Sequence, residues 1–178
     1  MSEGLVGVGS LLTLGGPVVA LLLGLSVVAV ATALHRITAF HLAGVGCVRG
    51  AGARRRTRLA VELRGLPRDA AVARAEAALG RHEVGFRLLD AVVQVAPLLG
   101  LFGTVLGMID AFRALQEAGA QVDPSALAGG IWVALLTTAV GLAVAMPTSL
   151  VLAWLDARLA RERLLTAEAL TAEMGNAA

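Results

Sequence analysis

The sequence predicts an all-α membrane protein with three transmembrane helices, the second and third long and extending into the cytoplasm. Three observations carry that prediction. Residues 4–34, 91–109 and 124–155 contain no Asp, Glu, Lys, Arg or His, and a helix needs about 20 apolar residues to span a bilayer. The composition is 57% hydrophobic with mean hydropathy +0.80 and only 16% charged residues, against about 25% charged in a soluble domain. Eleven of the 15 arginines lie in 36–87, between the first two apolar stretches, as the cytoplasmic bias of basic residues requires.

The expected order along the chain follows from these stretches. Residues 1–34 hold a short periplasmic N-terminus and the first span, with Gly15-Gly16-Pro17 marking its start or a bend. The span is apolar all round, which suits a helix exposed to lipid. No Lys or Arg precedes residue 36, so no cleavable signal peptide is expected. Residues 35–90 form an Arg-rich cytoplasmic helical segment, interrupted by Gly44, Gly46, Gly50 and Gly52 and carrying a basic patch at Arg54, Arg55, Arg56 and Arg58. That patch could meet anionic lipid headgroups. No aromatic residues interleave with it, so no nucleic-acid partner is expected.

Pro67 suits a helix start. From there Val72, Ala75, Leu79, His82, Phe86, Leu89, Val93 and Ala96 recur at alternating spacings of 3 and 4, a coiled-coil-like seam. The pattern predicts one unbroken helix over about 67–112, cytoplasmic first and membrane-embedded over 91–109. Glu62, Asp69, Glu76, Glu83 and Asp90 recur every seven residues and form a solvated face able to pair with arginines of a neighbouring helix.

Residues 110–127 read as a short acidic periplasmic loop, with Asp123-Pro124-Ser125 as a turn and helix cap. The third span occupies 128–155, with Trp132 and Trp154 near its ends, where interfacial aromatics are favoured. Residues 156–178 continue as a cytoplasmic helix that frays after Met174-Gly175.

The chemistry lies in two stripes. On the second span Gly100, Gly103 and Gly107 share one face with Ala96. On the third, Ala134, Thr138, Gly141, Ala145 and Thr148 do the same. Small residues let membrane helices approach closely, so Gly100, Gly103, Gly107 and Gly141 are expected at close-packed positions. The same stripes could instead line a lumen, with Thr104, Thr137 and Thr138 as its hydrogen-bonding groups. A membrane threonine also tends to bond the carbonyl four residues back, Gly100 for Thr104 and Ala134 for Thr138. Pro97 and Pro147 free the carbonyls of Val93 and Ala143 and are candidate kinks or hinges. The spans hold no titratable group, so this chain lacks an ion relay of its own. His35, His41 and His82 have no metal-site spacing, Cys47 is the only cysteine, and no nucleophile or phosphate-loop motif occurs. Neither catalytic residues, metal nor cofactor is expected.

Residues 97–109, Pro-Leu-Leu-Gly-Leu-Phe-Gly-Thr-Val-Leu-Gly-Met-Ile, followed by Phe112, and residues 130–147, Gly-Ile-Trp-Val-Ala-Leu-Leu-Thr-Thr-Ala-Val-Gly-Leu-Ala-Val-Ala-Met-Pro, resemble the second- and third-span motifs of the MotA/TolQ/ExbB proton-channel family. The resemblance covers about 90–155, and the three-span layout is closest to the ExbB/TolQ branch. It implies a homo-oligomer, a pentamer in the bacterial inner membrane whose second and third helices line a central lumen. It further implies a single-span ExbD/TolR-like partner whose membrane aspartate supplies the missing carboxylate, and a TonB-like protein beyond it. In the family, threonines matching Thr104 and Thr138 lie by the ion pathway, and in its motor branch prolines matching Pro97 and Pro147 are functionally sensitive. One position departs: Val133 stands where family members commonly carry glutamate. The function so implied is a proton-channel or stator subunit that converts proton motive force into movement of the partner, energising envelope processes such as TonB-dependent transport. The alternative is a passive oligomeric membrane scaffold without ion conduction.

Overall fold

The computed structural model describes residues 2–48, 50–63, 65–80, 83, 85–118 and 124–175. Among them the elements are five helices and no strand: α1 (Ser2–Ala43), α2 (Ala51–Leu63), α3 (Arg68–Gly80), α4 (Phe86–Ala118) and α5 (Pro124–Gly175). Three helical segments are long and apolar enough to cross a membrane: Gly16–Ala43, Phe86–Glu117 and Leu127–Glu173. The chain is therefore an all-α, multi-pass membrane protein.

Helix α1 is broken at Gly16, whose φ of 62° and ψ of −160° lie outside the helical region. Only glycine adopts that conformation readily, and Pro17 then occupies the start of the continuing helix, where its missing N–H costs nothing. The bend expected at Gly15-Gly16-Pro17 thus has a backbone cause.

The chain packs as two units: residues 1–30 with 90–149, and residues 31–89 with 150–178. In the first, Val18, Leu22 and Ala29 of α1 bury against Val92 and Ala96 of α4 and Val144 and Ala145 of α5. Between Gly16 and Val30, α1 leaves Leu21, Val27, Val28 and Val30 exposed, as an apolar surface meeting lipid should be.

In the second unit, Phe40 and Val45 pack with Leu79, Phe86, Leu89, Leu155 and Leu159. The Phe40 and Phe86 rings lie 5.9 Å apart, centroid to centroid. A smaller cluster joins Ala60 and Leu63 of α2 to Ala71 and Ala75 of α3 and Leu170 of α5. Trp154 is flanked by the His41 ring at 6.2 Å and carries the Arg158 guanidinium over its face at 4.5 Å.

The expectation of one helix over 67–112 is corrected. Helix α3 stops at Gly80 and α4 begins at Phe86, with turn hydrogen bonds from Glu83 N to Gly80 O and from Phe86 N to Glu83 O. Glycines at 80 and 85 each weaken a helix by about 1 kcal/mol relative to alanine. Arg36 Nε sits where a side chain at 85 would begin. The apolar period survives the break because Leu79, Phe86 and Leu89 still reach one core. Val72, counted on that seam, is exposed while Ala71 is buried. His82 and Asp123, and with Asp123 the expected cap, lie outside the described residues. Helix α4 also runs past Asp110 to Ala118, so much of the expected 110–127 loop is helix.

The basic patch on α2 divides in the structure. Arg54 and Arg58 are exposed, but Arg56 is only 5% exposed. Its Nη1–H donates to Glu162 Oε2 at 2.7 Å, and Nη2–H donates to the Cys47 carbonyl at 2.6 Å. Arg55 Nη2–H reaches Glu162 Oε1 at 3.1 Å, and the Gly46 N–H donates to Glu162 Oε2 at 2.8 Å. Glu162 is fully buried. Gly46 holds a φ of 75°, and an added Cβ would lie 3.1 Å from the Arg158 carbonyl, so only glycine fits this turn without strain. The acidic face finds partners too: Arg163 of α5 pairs with Glu76 at 3.5 Å and also contacts Glu83.

Candidate functional site

The candidate site is the antiparallel contact of α4 and α5 within the first unit. Its closeness follows from the glycines. A Cβ at Gly100 would lie 3.0 Å from the Thr137 carbonyl oxygen and 3.1 Å from Thr138 Cα. One at Gly103 would lie 2.6 Å from Thr137 Oγ1, and one at Gly107 3.1 Å from Ala134 Cβ. From the α5 side, a Cβ at Gly141 would lie 2.7 Å from the Ala96 carbonyl oxygen and 3.2 Å from Gly100 Cα. The same register continues outward, where Gly130 faces Ala111. Steps of three or four along α4 meet equal steps back along α5, so the two small-residue stripes are one seam.

The three threonines have different places in it. Thr137 is 2% exposed. Its hydroxyl donates to the Ala134 carbonyl at 2.7 Å, with the Gly100 carbonyl at 3.2 Å. Thr138 is half-buried and donates across the seam to the Gly100 carbonyl at 3.3 Å. Thr104 is half-buried and donates to Leu101 O at 2.6 Å. The expected back-bonds of Thr104 to Gly100 and Thr138 to Ala134 are therefore corrected. Thr104 reaches the carbonyl three residues back, and Thr138 crosses to α4 because Gly100 has no side chain to keep it away. Thr137 sits inside the contact, against Gly100 and Gly103.

A hydroxyl has one proton to donate and two lone pairs to accept with. In Thr104 and Thr138 the proton is committed to a backbone carbonyl. Each oxygen then presents acceptor capacity, suited to a donor such as water, hydronium or a protonated carboxyl. Pro97 and Pro147 lie inside unbroken α4 and α5. Pro97 is half-buried and Pro147 exposed, each removing one intrahelical hydrogen bond. Val133 is half-buried beside the exposed Trp132. Away from the seam the helices present Leu98, Leu101, Phe102 and Val105 on α4, and Leu135, Leu142, Met146 and Leu150 on α5, all exposed.

Glu162 is the functional-looking residue that sequence reasoning missed. A signal existed: Leu155, Leu159, Glu162, Thr166 and Leu170 step by 3 or 4 along α5, placing the carboxylate in phase with buried positions.

The family described as the MotA/TolQ/ExbB proton channel family matches residues 62–168, a stretch that encloses α3, α4 and the apolar part of α5. Among individual proteins, the chain is 40% identical over 87 residues to the biopolymer transport protein exbB1 of Vibrio cholerae serotype O1, covering 46% of this chain and 38% of that protein. It is 53% identical over 62 residues to a putative biopolymer transport protein ExbB homolog of Methanothermobacter thermautotrophicus, covering 35% and 21%. It is 48% identical over 59 residues to the Tol-Pal system protein TolQ of Haemophilus influenzae, covering 33% and 25%. The matched stretches thus span well under half of each relative. With the family match covering more than half of the chain, and the seam lying wholly within it, this protein belongs to the MotA/TolQ/ExbB proton channel family.

Proposed function

We propose that this chain is the channel subunit of a proton-driven energy transducer in the bacterial inner membrane. In this reading the N-terminus is periplasmic and the C-terminus cytoplasmic. Five copies surround a lumen lined by α4 and α5, and a single-span ExbD/TolR-like partner occupies it. The partner's membrane aspartate supplies the carboxyl group, and Thr104 and Thr138 present hydroxyl oxygens that accept from its protonated form or from hydronium. Protonation and deprotonation of that aspartate release and recapture it, and the partner moves relative to the ring, passing work to a TonB-like protein or another envelope process. Pro97 and Pro147 act as hinges that let α4 and α5 follow the movement. With Val133 in place of the family's glutamate, no step is assigned to that side chain.

The observation that carries this reading is the family match over 62–168 enclosing two helices, α4 and α5, whose apolar spans 91–109 and 124–155 carry no charge and whose faces away from the seam are apolar. Such helices need a titratable group from elsewhere to move protons. The arginine excess in 36–87 supports the orientation.

Two measurements test it. The native mass of the complex, co-expressed with a single-span protein bearing a membrane aspartate, should correspond to five copies plus two of the partner. A monomer or dimer would refute the lumen, and a pentamer that never retains a partner and carries no flux would favour the scaffold. In proteoliposomes of the full complex, Thr104→Val and Thr138→Val should each lower proton flux about tenfold. A hydrogen bond from a charged donor such as hydronium contributes about 1.5–3 kcal/mol, and 1.4 kcal/mol is tenfold. Undiminished flux in both variants would remove the threonines from the pathway.

A further inference from the structure

Helices α1 and α5 lie side by side in the second unit, with Phe40 packed among Leu155 and Leu159 and the Gly46 turn against Arg158. Trp154 sits at this contact. Its ring is 6.2 Å from the His41 ring, and the Arg158 guanidinium stands over it, 4.5 Å from the centroid. Trp154 and His41 are exposed and Arg158 is half-buried. The indole covers one face of the guanidinium and holds it by cation–π attraction, while the N–H groups along its edge stay open. Among the described residues Arg158 forms no ion pair. Asp156, two residues before it, has an interaction of its own, and Glu162, one turn beyond it, is turned inward onto Arg56 and the Gly46 N–H. The level is that of a bilayer surface. Arg36 on α1 and Asp156 on α5 are the first charges after the two apolar stretches. His41 lies five residues beyond the one and Trp154 two before the other, each within about 8 Å at 1.5 Å per residue, where interfacial aromatics are favoured. Toward the membrane the same helix faces carry Leu34, seven residues before His41, and Leu150, four before Trp154, both exposed.

We propose that the Arg158–Trp154–His41 cluster binds the phosphate of an anionic phospholipid from the adjoining leaflet. Arg158 donates two N–H bonds to the phosphate oxygens, the fork geometry that suits guanidinium to phosphate. A His41 ring N–H supplies a further donor, and the acyl chains lie along Leu34 and Leu150. A lipid of net charge −1 neutralises Arg158. A zwitterionic lipid would bring a second cation beside the guanidinium, and a diacylglycerol would leave the N–H groups unmet.

The test uses the full chain in non-ionic detergent, with phosphatidylglycerol as the probe and native mass spectrometry as the readout. The wild-type chain should retain one phosphatidylglycerol per copy, and several-fold less phosphatidylcholine or diacylglycerol of the same chains. Arg158→Gln should retain at least tenfold less phosphatidylglycerol. Trp154→Leu keeps an apolar side chain but removes the stack, and should retain about two- to fivefold less, the size of an exposed cation–π contact. Arg161→Gln removes an exposed charge from the next turn of α5 and should retain as much as the wild type. Circular dichroism checks helix content, and should Arg158→Gln lose it, Trp154→Leu decides in its place. Undiminished retention in the deciding variant would place any bound lipid elsewhere. A loss in Arg161→Gln equal to that in the deciding variant would mean diffuse attraction to basic residues. Phosphatidylcholine or diacylglycerol retained as well as phosphatidylglycerol would mean unspecific partition. Displacement of the lipid by inorganic phosphate at matched concentration would mean a simple anion site. Any of these four results overturns the assignment.

Discussion

Glu162→Ala should lower the unfolding free energy by about 3–5 kcal/mol, the cost of breaking a buried ion pair by removing one partner. Glu162 is fully buried and Arg56 is 5% exposed, so both charges are held out of bulk water and lean on each other. Removing the carboxylate leaves the Arg56 Nη1–H and the Gly46 N–H without an acceptor, each an unsatisfied buried donor. Arg55, which is 40% exposed at its side chain, can turn to water and should contribute little. Equilibrium unfolding in mixed micelles checks the magnitude. Two further variants separate charge from shape. Glu162→Gln keeps an acceptor and should lose less than Glu162→Ala. The pair Arg56→Met with Glu162→Leu replaces the ion pair by apolar volume, which elsewhere is often neutral or stabilising. Here it should recover only part of the loss, because the Gly46 N–H still lacks its partner. A loss below about 1 kcal/mol for Glu162→Ala would mean that α2 is not held to α5 through this carboxylate.

Gly141→Val is expected to separate α4 from α5. A Cβ at this position would lie 2.7 Å from the Ala96 carbonyl oxygen and 3.2 Å from Gly100 Cα. Both are backbone atoms and cannot rotate aside. Overpacking costs typically 1–3 kcal/mol, and Gly141→Ala already falls in that class, so valine should exceed it. The change also draws the Thr138 hydroxyl away from the Gly100 carbonyl, 3.3 Å distant in the native chain. Proton flux should therefore fall by more than the tenfold expected of Thr138→Val. Gly129→Ala is the internal control, because nothing lies within 4 Å of a Cβ built there. Alanine at such a helical site should be neutral or stabilise by up to about 1 kcal/mol. Equal unfolding free energies for Gly141→Val and Gly129→Ala would show that the two helices do not meet along this seam.

Much of the fold was legible because membrane helices announce themselves by length and charge. Three uncharged stretches of at least 19 residues predict three spans, and no tertiary contact is needed to bury them, since lipid serves. The glycine positions were legible for a related reason. Small residues at spacings of 3 and 4 mark a face where backbones approach, and Gly100, Gly103, Gly107 and Gly141 all meet the facing helix with no room for a side chain. The extent of the cytoplasmic helices was harder to read. A seam of apolar residues running through Leu79, Phe86 and Leu89 is blind to the backbone between them, so it could not report the break between Gly80 and Phe86 that Arg36 occupies from α1.

Sequence alone determined the class of this protein: an all-α membrane chain without a charge in its spans, carrying the motifs of a proton channel family. Those properties are local, set by hydropathy, spacing and residue size over 20 residues at a time. Tertiary structure alone decided which partner each polar group takes. It sent Thr138 across to Gly100 while Thr104 stayed on its own helix, and it buried Thr137 in the contact. It also drew Arg56 out of a basic run onto Glu162, 106 residues away. Hydrogen bonds and ion pairs between distant residues depend on which helix faces which, and helical period fixes only the face a residue shares, never the neighbour that comes to meet it.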